Sequence, residues 1–269
     1  MNIIKVCEQG FFHKADFIPN QDCVRCFESD GIICAAVADG CSGAVWANIA
    51  SSAAVSYISY LFKGPFLRRM EKYLPKELIP ELTAETAIFD ERYGQALLSM
   101  ICDSLKELVE HHLLDKYRFV GNFYAGKLKA GDFATTLTVL FIRPDTGRMT
   151  TISVGDGFAC VREPDGVRCI SEPENKGSPS GTYFITDKEL NKHLRLNRYQ
   201  SGSYSFILLS TDGLTKLHKD LDDFLSGLSF FPDITPEAVS RMFSQDRKLP
   251  DDIGYVLIIN DKNINQKGE

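Results

Sequence analysis

The sequence lacks the segments that direct a chain into or across a membrane. Its first residues, MNIIKVCEQGFF, contain neither the apolar stretch nor the small-residue cleavage site of a signal peptide. No run approaches the roughly 18 consecutive apolar residues of a membrane-spanning helix. The net charge of −6 argues against general binding of nucleic acids or anionic membranes, although a bound cation can still attract an anionic substrate. We therefore expect a cytoplasmic protein that binds neither nucleic acid nor membrane.

The motifs of several enzyme classes are also missing. The sequence has no G-x-S-x-G segment of a serine hydrolase and no Cys-x5-Arg loop of a cysteine phosphatase. It has no P-loop, which argues against a kinase or an ATPase. A nucleophilic side chain is therefore not the expected basis of any activity.

Nitrogen and sulfur ligands for a metal ion are scarce as well. Only five histidines are present, and two of them, His111 and His112, are adjacent in a charged, helix-like stretch. Cys23 and Cys26 form a C-x-x-C pair, but the sequence contains no second such pair to complete a zinc site, which needs about four ligands. The eight cysteines are expected to be reduced thiols, as is usual in the cytosol.

Short runs rich in β-branched residues and bounded by Gly, Pro and Asp predict seven strands, at 2–6, 32–38, 135–142, 149–154, 158–162, 205–210 and 254–260. Apolar spacing and alanine content predict helices at 44–62 and 95–114, and Thr235-Pro236-Glu237 is typical of a helix start. Residues 63–94 are predicted to form a helical connection, and residues 171–187 are predicted to form a long polar loop. The order predicts an α+β fold with helices packed on largely antiparallel sheets. The length allows one large domain or two small ones, and we expect a single domain over residues 1–260 with a polar tail at 261–269.

Acidic residues recur where predicted core strands begin or end. Five segments share this feature, and their acids are Asp22, Asp39, Asp156, Asp212 and Asp251. Any one of them can be a simple turn residue, because Asp-Gly is a common turn dipeptide. If the strands are neighbours, however, the carboxylates gather and cannot all stay ionised without cations among them. Oxygen ligands of this kind select Mg²⁺, Mn²⁺ or Ca²⁺, and the glycine after Asp39 leaves its own carbonyl accessible.

The order of the motifs resembles that of the PP2C-type, metal-dependent protein serine/threonine phosphatases, and is most similar to their compact bacterial branch. The resemblance extends from about residue 10 to residue 260 and rests on NQD (20–22), VADG (37–40), ATTL (134–137), VGDG (154–157), STDGL (210–214) and DDIG (251–254). It implies a sandwich of two antiparallel β-sheets flanked by α-helices, with a two-metal centre at one end.

The resemblance also implies a role for each acid of the centre. Asp39 would bridge two ions, Mn²⁺ or Mg²⁺, and the carbonyl of Gly40 would bind one of them. Asp212 and Asp251 would hold the other ion, and Asp22 would bind metal directly or through a water.

Two further acids take less central places in this comparison. Asp156 matches a position linked to a third, more weakly bound ion. Asp252 stands where the family commonly has Asn, so Asp251 is the expected ligand of the two, with a slip by one residue as the alternative.

The sequence departs from the family pattern at several positions. The arginine that grips the substrate phosphate in many members is missing, and His13 or Lys14 could take its place. Cys41 follows Asp39-Gly40 where a histidine is frequent, so assistance by a histidine acid is not expected. Ala134 and Gly254 replace a frequent glycine and threonine, and the threonines of ATTL are expected to be core residues.

The resemblance implies a phosphatase that hydrolyses phosphoserine and phosphothreonine in proteins, by attack of a metal-bridging water. Two divalent ions about 3.5–4 Å apart can activate such a water and hold the phosphate in line. The expected partner is a phosphorylated protein with a cognate serine/threonine kinase. Two alternatives stay open: a catalytically silent relative that binds a regulatory partner, and the same metal chemistry on a small phospho-metabolite.

Overall fold

The computed structural model describes residues 1–121, 127–174, 181–217, 249 and 251–260, with the side chains of 119–121 and 217 excepted. The described strands form two antiparallel sheets of five strands each. In spatial order, the first sheet contains β1 (Asn2–Glu8), β10 (Ile253–Ile259), β9 (Phe206–Ser210), β6 (Phe158–Glu163) and β7 (Gly166–Ser171). The second sheet contains β2 (Asp22–Ser29), β3 (Ile32–Asp39), β4 (Leu137–Arg143), β5 (Arg148–Val154) and β8 (Arg195–Gln200).

The described helices are mostly short and lie between the strands along the chain. They are α1 (Phe11–Ala15), α2 (Ala47–Lys63), α3 (Phe66–Met70), α4 (Ala84–Phe89), α5 (Gly94–Glu107), α6 (Asp115–Gly121), α7 (Leu190–His193) and α8 (Gly213–Leu217). Three 3₁₀ segments, Glu71–Tyr73, Lys76–Glu81 and Glu91–Tyr93, fill the stretch between α3 and α5. A π-helical segment, Leu108–Leu114, continues directly from α5.

Two apolar layers hold the second sheet in the middle of the molecule. One layer lies between the sheets, where Val37 and Leu140 of the second sheet share a buried cluster with Leu209 and Val256 of the first. The other layer packs the opposite face of the second sheet against α2 and α5, whose buried residues include Ile58 and Leu105. Each fully buried aliphatic side chain of this kind contributes roughly 1.5–3 kcal/mol, so the two layers fix how the sheets stack.

The structure confirms the seven predicted strands and the α+β architecture of two antiparallel sheets with helices. The helix predicted at 44–62 is α2, and the helix predicted at 95–114 divides into α5 and the π-helical segment. The predicted helical connection at 63–94 consists of short helices and 3₁₀ turns. The predicted start of a helix at Thr235 and the tail 261–269 lie outside the described residues.

Three strands were not predicted, namely β2, β7 and β8. Each of them is an edge strand of its sheet. On β2, Cys23 packs with the cluster under the helices while Cys26 packs with the cluster between the sheets, because side chains three residues apart in a strand point to opposite faces. Among the helices that the structure describes, none combines the length and apolar composition needed to cross a lipid bilayer.

Candidate metal centre

Asp22 and Asp39 lie beside each other at one end of the second sheet. Asp22 is the first residue of β2 and Asp39 is the last residue of β3, and the antiparallel register makes them direct partners. The start of β4 and the end of β5 lie at the same end, because Leu137 pairs with Val154 there. Asp22 at the start of β2 is therefore adjacent to Asp39 at the end of β3.

The other three acids reach this end from the first sheet. The turn Gly155–Gly157, which carries Asp156, connects β5 of the second sheet with β6 of the first. Ser210, the residue at the end of β9, pairs with both Phe158 and Tyr255, so the starts of β6 and β10 flank the end of β9. Asp212 follows that end and Asp251 precedes β10. All five acids predicted from the sequence thus gather at one end of the sandwich.

Gly213 allows the two segments of the first sheet to approach each other closely. A β-carbon added at Gly213 would lie 2.1 Å from the carbonyl oxygen of Asp252, which is far inside van der Waals contact. The residue after Asp212 must therefore be glycine if Asp212 and Asp251 are to be neighbours.

The Gly213→Ala variant is expected to be destabilised by about 2 kcal/mol or more, because the added methyl group must push the 251–252 segment away. The free energy of unfolding from urea titration measures this effect. Gly202→Ala is the matched control, since a β-carbon there meets no atom of the described chain within 4 Å. Equal stabilities of the two variants would contradict the proposed close approach.

Asp22, which is buried, and Asp39, which is half-buried, form a pair whose carboxyl groups are hydrogen-bonded to each other. Asp22 is only 5% exposed. Burial raises the pKa of Asp22 to about 7, despite the hydrogen bonds that it receives from Thr211 and Asp39. Burial also raises the pKa of Asp39 well above its usual value, and the charges of Asp22 and Asp212 add to this effect. Both shifts oppose full ionisation of the pair when no cation is bound.

Thr211 is a site residue that sequence reasoning missed. Its hydroxyl donates to Oδ2 of Asp22 at 2.6 Å, and it accepts from the backbone N–H of Gly254 at 3.0 Å. The backbone N–H of Thr211 donates to the carbonyl of Gly254 at 2.9 Å. This residue therefore links the end of β9 and the start of β10 to Asp22, the first residue of β2. Its place directly before Asp212 in STDGL was the signal in the sequence.

The threonines of ATTL hold the backbone of Asp39 in place. The N–H of Thr136 and the hydroxyl of Thr135 both donate to the carbonyl of Asp39, each at 2.8 Å. Both threonines are buried, in agreement with their predicted place in the core. Gly40 lies so close to the start of α2 that an added β-carbon would be 2.6 Å from the carbonyl oxygen of Ala47.

Asp156 lies near both Asp39 and Asp212. Burial, together with the charge of Asp212, raises its pKa to about 6. Its Oδ1 atom is buried and has no hydrogen-bond partner within the described part of the chain. The segment that includes Thr182 lies next to it and belongs to the predicted loop at 171–187, of which residues 175–180 are not described. A buried carboxylate oxygen without a donor is the kind of group that a cation would satisfy.

Asp212 and Asp251 share one lysine. Nζ of Lys216 lies 2.8 Å from Oδ2 of Asp212 and 2.5 Å from Oδ2 of Asp251. Burial on its own would lower the pKa of Lys216, but the hydrogen bonds to the two carboxylates outweigh it and raise that pKa above its ordinary value. The two acids from the first sheet therefore have a cation within the chain.

Asp252 has a different environment from its neighbour Asp251. It is buried and accepts hydrogen bonds from the backbone N–H of Gly10 at 2.7 Å and of Gln21 at 2.6 Å. Its Oδ2 also lies 2.8 Å from Nδ1 of His13, one of the two residues predicted to reach the phosphate. Asp252 therefore anchors the N-terminal segment. Lys14, the other candidate, is exposed on α1.

The described residues contain no group of three or more His, Cys, Asp or Glu side chains already arranged to hold a metal ion. The donor set nevertheless fits a hard divalent cation. Its members are carboxylates and a backbone carbonyl, which are the ligands that such cations prefer. The pKa values of Asp22, Asp39 and Asp156 are raised, and Oδ1 of Asp156 has no donor among the described residues. The individual residues stay predicted ligands.

Comparison with solved structures places this architecture among bacterial phosphatases. The serine/threonine phosphatase Stp1 from Staphylococcus aureus matches with a TM-score of 0.65 at 14% identity, over 97% of this chain and 95% of that one. The S. agalactiae serine/threonine phosphatase matches with a TM-score of 0.61 at 15% identity, over 96% and 99%. RsbX in complex with magnesium matches with a TM-score of 0.50 at 15% identity, over 95% and 92%. At these identities the likeness shows the fold.

The family follows from the sequence itself. The family model described as Protein phosphatase 2C matches residues 9–249, which is most of the chain. No curated protein matches the chain significantly by sequence. The chain belongs to the protein phosphatase 2C family, and this membership identifies it as a phosphatase.

Proposed function

We propose that the chain is a metal-dependent protein phosphatase that hydrolyses phosphoserine and phosphothreonine with Mn²⁺ or Mg²⁺ as cofactor. The observation that carries the proposal is the gathering of five aspartates at one end of the sandwich, in the motif order of the family. That RsbX was crystallised with magnesium is consistent with this cofactor class. We further propose that residues 1–260 act as one domain, with a phosphorylated protein and its cognate kinase as partners.

The two sheets would contribute different ligands to the centre. From the second sheet, Asp22, Asp39 and the carbonyl of Gly40 would hold one ion, with Asp39 shared between ions. From the first sheet, Asp212 and Asp251 would hold the other. When bound, the ions supply an activated water and neutralise the charge on the phosphoryl group.

The protein contributes the positions of these groups rather than a nucleophile. Thr211 orients the Oδ2 atom of Asp22 through a 2.6 Å hydrogen bond, and Thr135 and Thr136 fix the backbone of Asp39 from the opposite strand. These contacts are made before any substrate binds, so the carboxylates do not have to reorganise during the reaction. Such preorganisation is the main source of electrostatic stabilisation in phosphoryl transfer.

Hydrolysis of p-nitrophenyl phosphate and of a phosphothreonine peptide tests the function. Turnover is expected with Mn²⁺ and is expected to disappear with EDTA. A panel of small phospho-metabolites distinguishes a protein phosphatase from an enzyme of metabolism. The absence of metal-dependent turnover on any substrate, together with a stoichiometric protein partner in a pull-down, would instead support a catalytically silent binding module.

The Asp251→Asn and Asp252→Asn variants are expected to fail in different ways. Asp251→Asn should weaken Mn²⁺ binding at least tenfold and should cost less metal-free stability than Asp252→Asn, because the carboxylate of Asp251 is partly exposed. Asp252→Asn should lower the free energy of unfolding by about 1–3 kcal/mol, since two buried N–H donors lose a charged acceptor. Calorimetric Mn²⁺ titration and urea unfolding of both variants measure this. The reverse pattern would identify Asp252 as the ligand.

A further inference from the structure

The half of the centre that comes from the first sheet already contains a positive charge. Lys216 lies on α8, four residues after Asp212, and its ammonium group contacts one oxygen of Asp212 and one of Asp251. The start of α8 is fixed by the N–H and the hydroxyl of Thr215, which both donate to the carbonyl of Asp212 at 2.9 Å and 2.7 Å. This turn brings the side chain of Lys216 back over the acid that begins it.

The half that comes from the second sheet has no comparable cation in the described residues. The carboxylate of Asp22 accepts from the hydroxyl of Thr211 and interacts with the carboxyl group of Asp39. The strongest further charge effects on this pair come from other aspartates. The two halves of the centre are therefore unlike in charge, although both consist of aspartates.

We propose that Lys216 is an internal counter-ion that occupies the cation position between Asp212 and Asp251, and that a metal ion must displace it to bind there. This inference rests on the proposed function, because it assigns Asp212 and Asp251 to the second ion. Two cations cannot share these two oxygen atoms, since like charges within about 4 Å repel strongly near a protein surface. The lysine makes the second metal position weaker than the first and holds the two acids together in the metal-free protein.

The proposal predicts unequal binding of two ions. The first Mn²⁺ enters on the side of Asp22 and Asp39, where no ammonium group competes. The second Mn²⁺ binds at least tenfold more weakly, because it must separate Lys216 from both carboxylates. The free metal concentration would then set the fraction of enzyme with a complete centre, so the lysine determines how the enzyme responds to metal.

Calorimetric titration of the full chain with MnCl₂ tests the competition. Lys216→Gln is expected to tighten the second binding event at least tenfold and to leave the first unchanged, whereas Lys216→Arg keeps the charge and should resemble the wild type. Lys192→Gln is the matched control, because Lys192 pairs with Glu189 on the exposed surface of a short helix. It should change neither binding event.

Thermal unfolding of the metal-free proteins tests the ion pair without any metal. Lys216→Gln should lower the melting temperature in the wild-type background but have a much smaller effect in an Asp251→Asn background. Additive effects of the two substitutions would overturn the counter-ion role. An unchanged Mn²⁺ affinity of Lys216→Gln would overturn the competition, and if turnover were also lost at saturating Mn²⁺, Lys216 would act on the substrate phosphate instead.

Failure of the proposed function gives a different result. In that case neither the wild type nor Lys216→Gln would bind Mn²⁺, while the unfolding experiment would still report coupling between Lys216 and Asp251. That combination would overturn both the proposed metal centre and the proposed competition between Lys216 and the metal ion. Normal Mn²⁺ binding that is insensitive to Lys216 overturns only the present inference.

Discussion

The Asp39→Asn variant is expected to lose Mn²⁺-dependent phosphatase activity by at least about 10³-fold while gaining stability in the metal-free state. Both effects follow from the position of Asp39 between the other acids. Its carboxyl group is hydrogen-bonded to that of Asp22 and interacts with the charges of Asp212 and Asp156, so in the metal-free protein it adds to a repulsive cluster. With metal, the same carboxylate is the shared ligand, and its loss removes charge stabilisation that is specific to the transition state.

Steady-state rates on p-nitrophenyl phosphate and melting temperatures with EDTA measure the two effects of this substitution. Asp145→Asn is the control, because Asp145 is an exposed acid in the turn between β4 and β5, at the opposite end of the sandwich. It should keep full activity and should not gain stability. Full activity of Asp39→Asn, or an Asp39→Asn protein that is less stable than wild type in EDTA, would contradict the account.

The metal-free protein is expected to lose stability as the pH rises from about 4 to about 7. The folded-state pKa of Asp22 is about 7 and that of Asp156 about 6, both raised mainly by burial from an ordinary value of 3.8. Between pH 3.8 and these folded-state pKa values, the folded state binds more protons than the unfolded state. The stability that these two protonated carboxyl groups contribute is therefore complete below about pH 4. It is lost as the pH rises through their folded-state pKa values. For Asp22 the shift corresponds to a contribution on the order of 4 kcal/mol.

Saturating Mn²⁺ is expected to remove this decline, because the metal binds the ionised carboxylates and its affinity rises with pH. Urea unfolding at pH 5, 6 and 7, with EDTA and with Mn²⁺, measures both curves. Asp22→Asn is the matched variant: it keeps an acceptor for Thr211 but removes the titrating group, so its metal-free stability should change less over this range. The opposite result would be a metal-free stability that increases from pH 5 to pH 7, equally in the wild type and in Asp22→Asn. That result would show that the acid pair does not control the pH dependence of stability.

The fold was predictable where strands are buried on both faces. All seven residues of β10 and all five of β9 are buried, and their continuous apolar runs identify them. The three missed strands are only partly buried and carry charged or polar residues, as in RLNRYQ of β8. An edge strand is stabilised by its neighbour in the sheet, and a single sequence contains no record of that neighbour.

The acids of the centre were predictable because each follows or precedes a recognisable strand. Their partners were less accessible to sequence reasoning. Thr211 contacts Asp22 across 189 positions of the chain, and Lys216 contacts Asp251 across 35, so both contacts exist only in the folded structure. A helix-like spacing of four residues between Asp212 and Lys216 was the local signal for the second of these. The different environments of Asp251 and Asp252 likewise depend on the backbone N–H groups of Gly10 and Gln21, which only the fold brings near.

Anomalous diffraction at the manganese edge, from crystals grown with MnCl₂, tests the central claim most directly. The account predicts strong anomalous peaks at the end of the sandwich. One would lie within coordination distance of Asp39 and the Gly40 carbonyl, and a second beside Asp212 and Asp251, with the ammonium group of Lys216 moved away. An anomalous map with no peak beside Asp39, at a Mn²⁺ concentration that supports turnover, would contradict it.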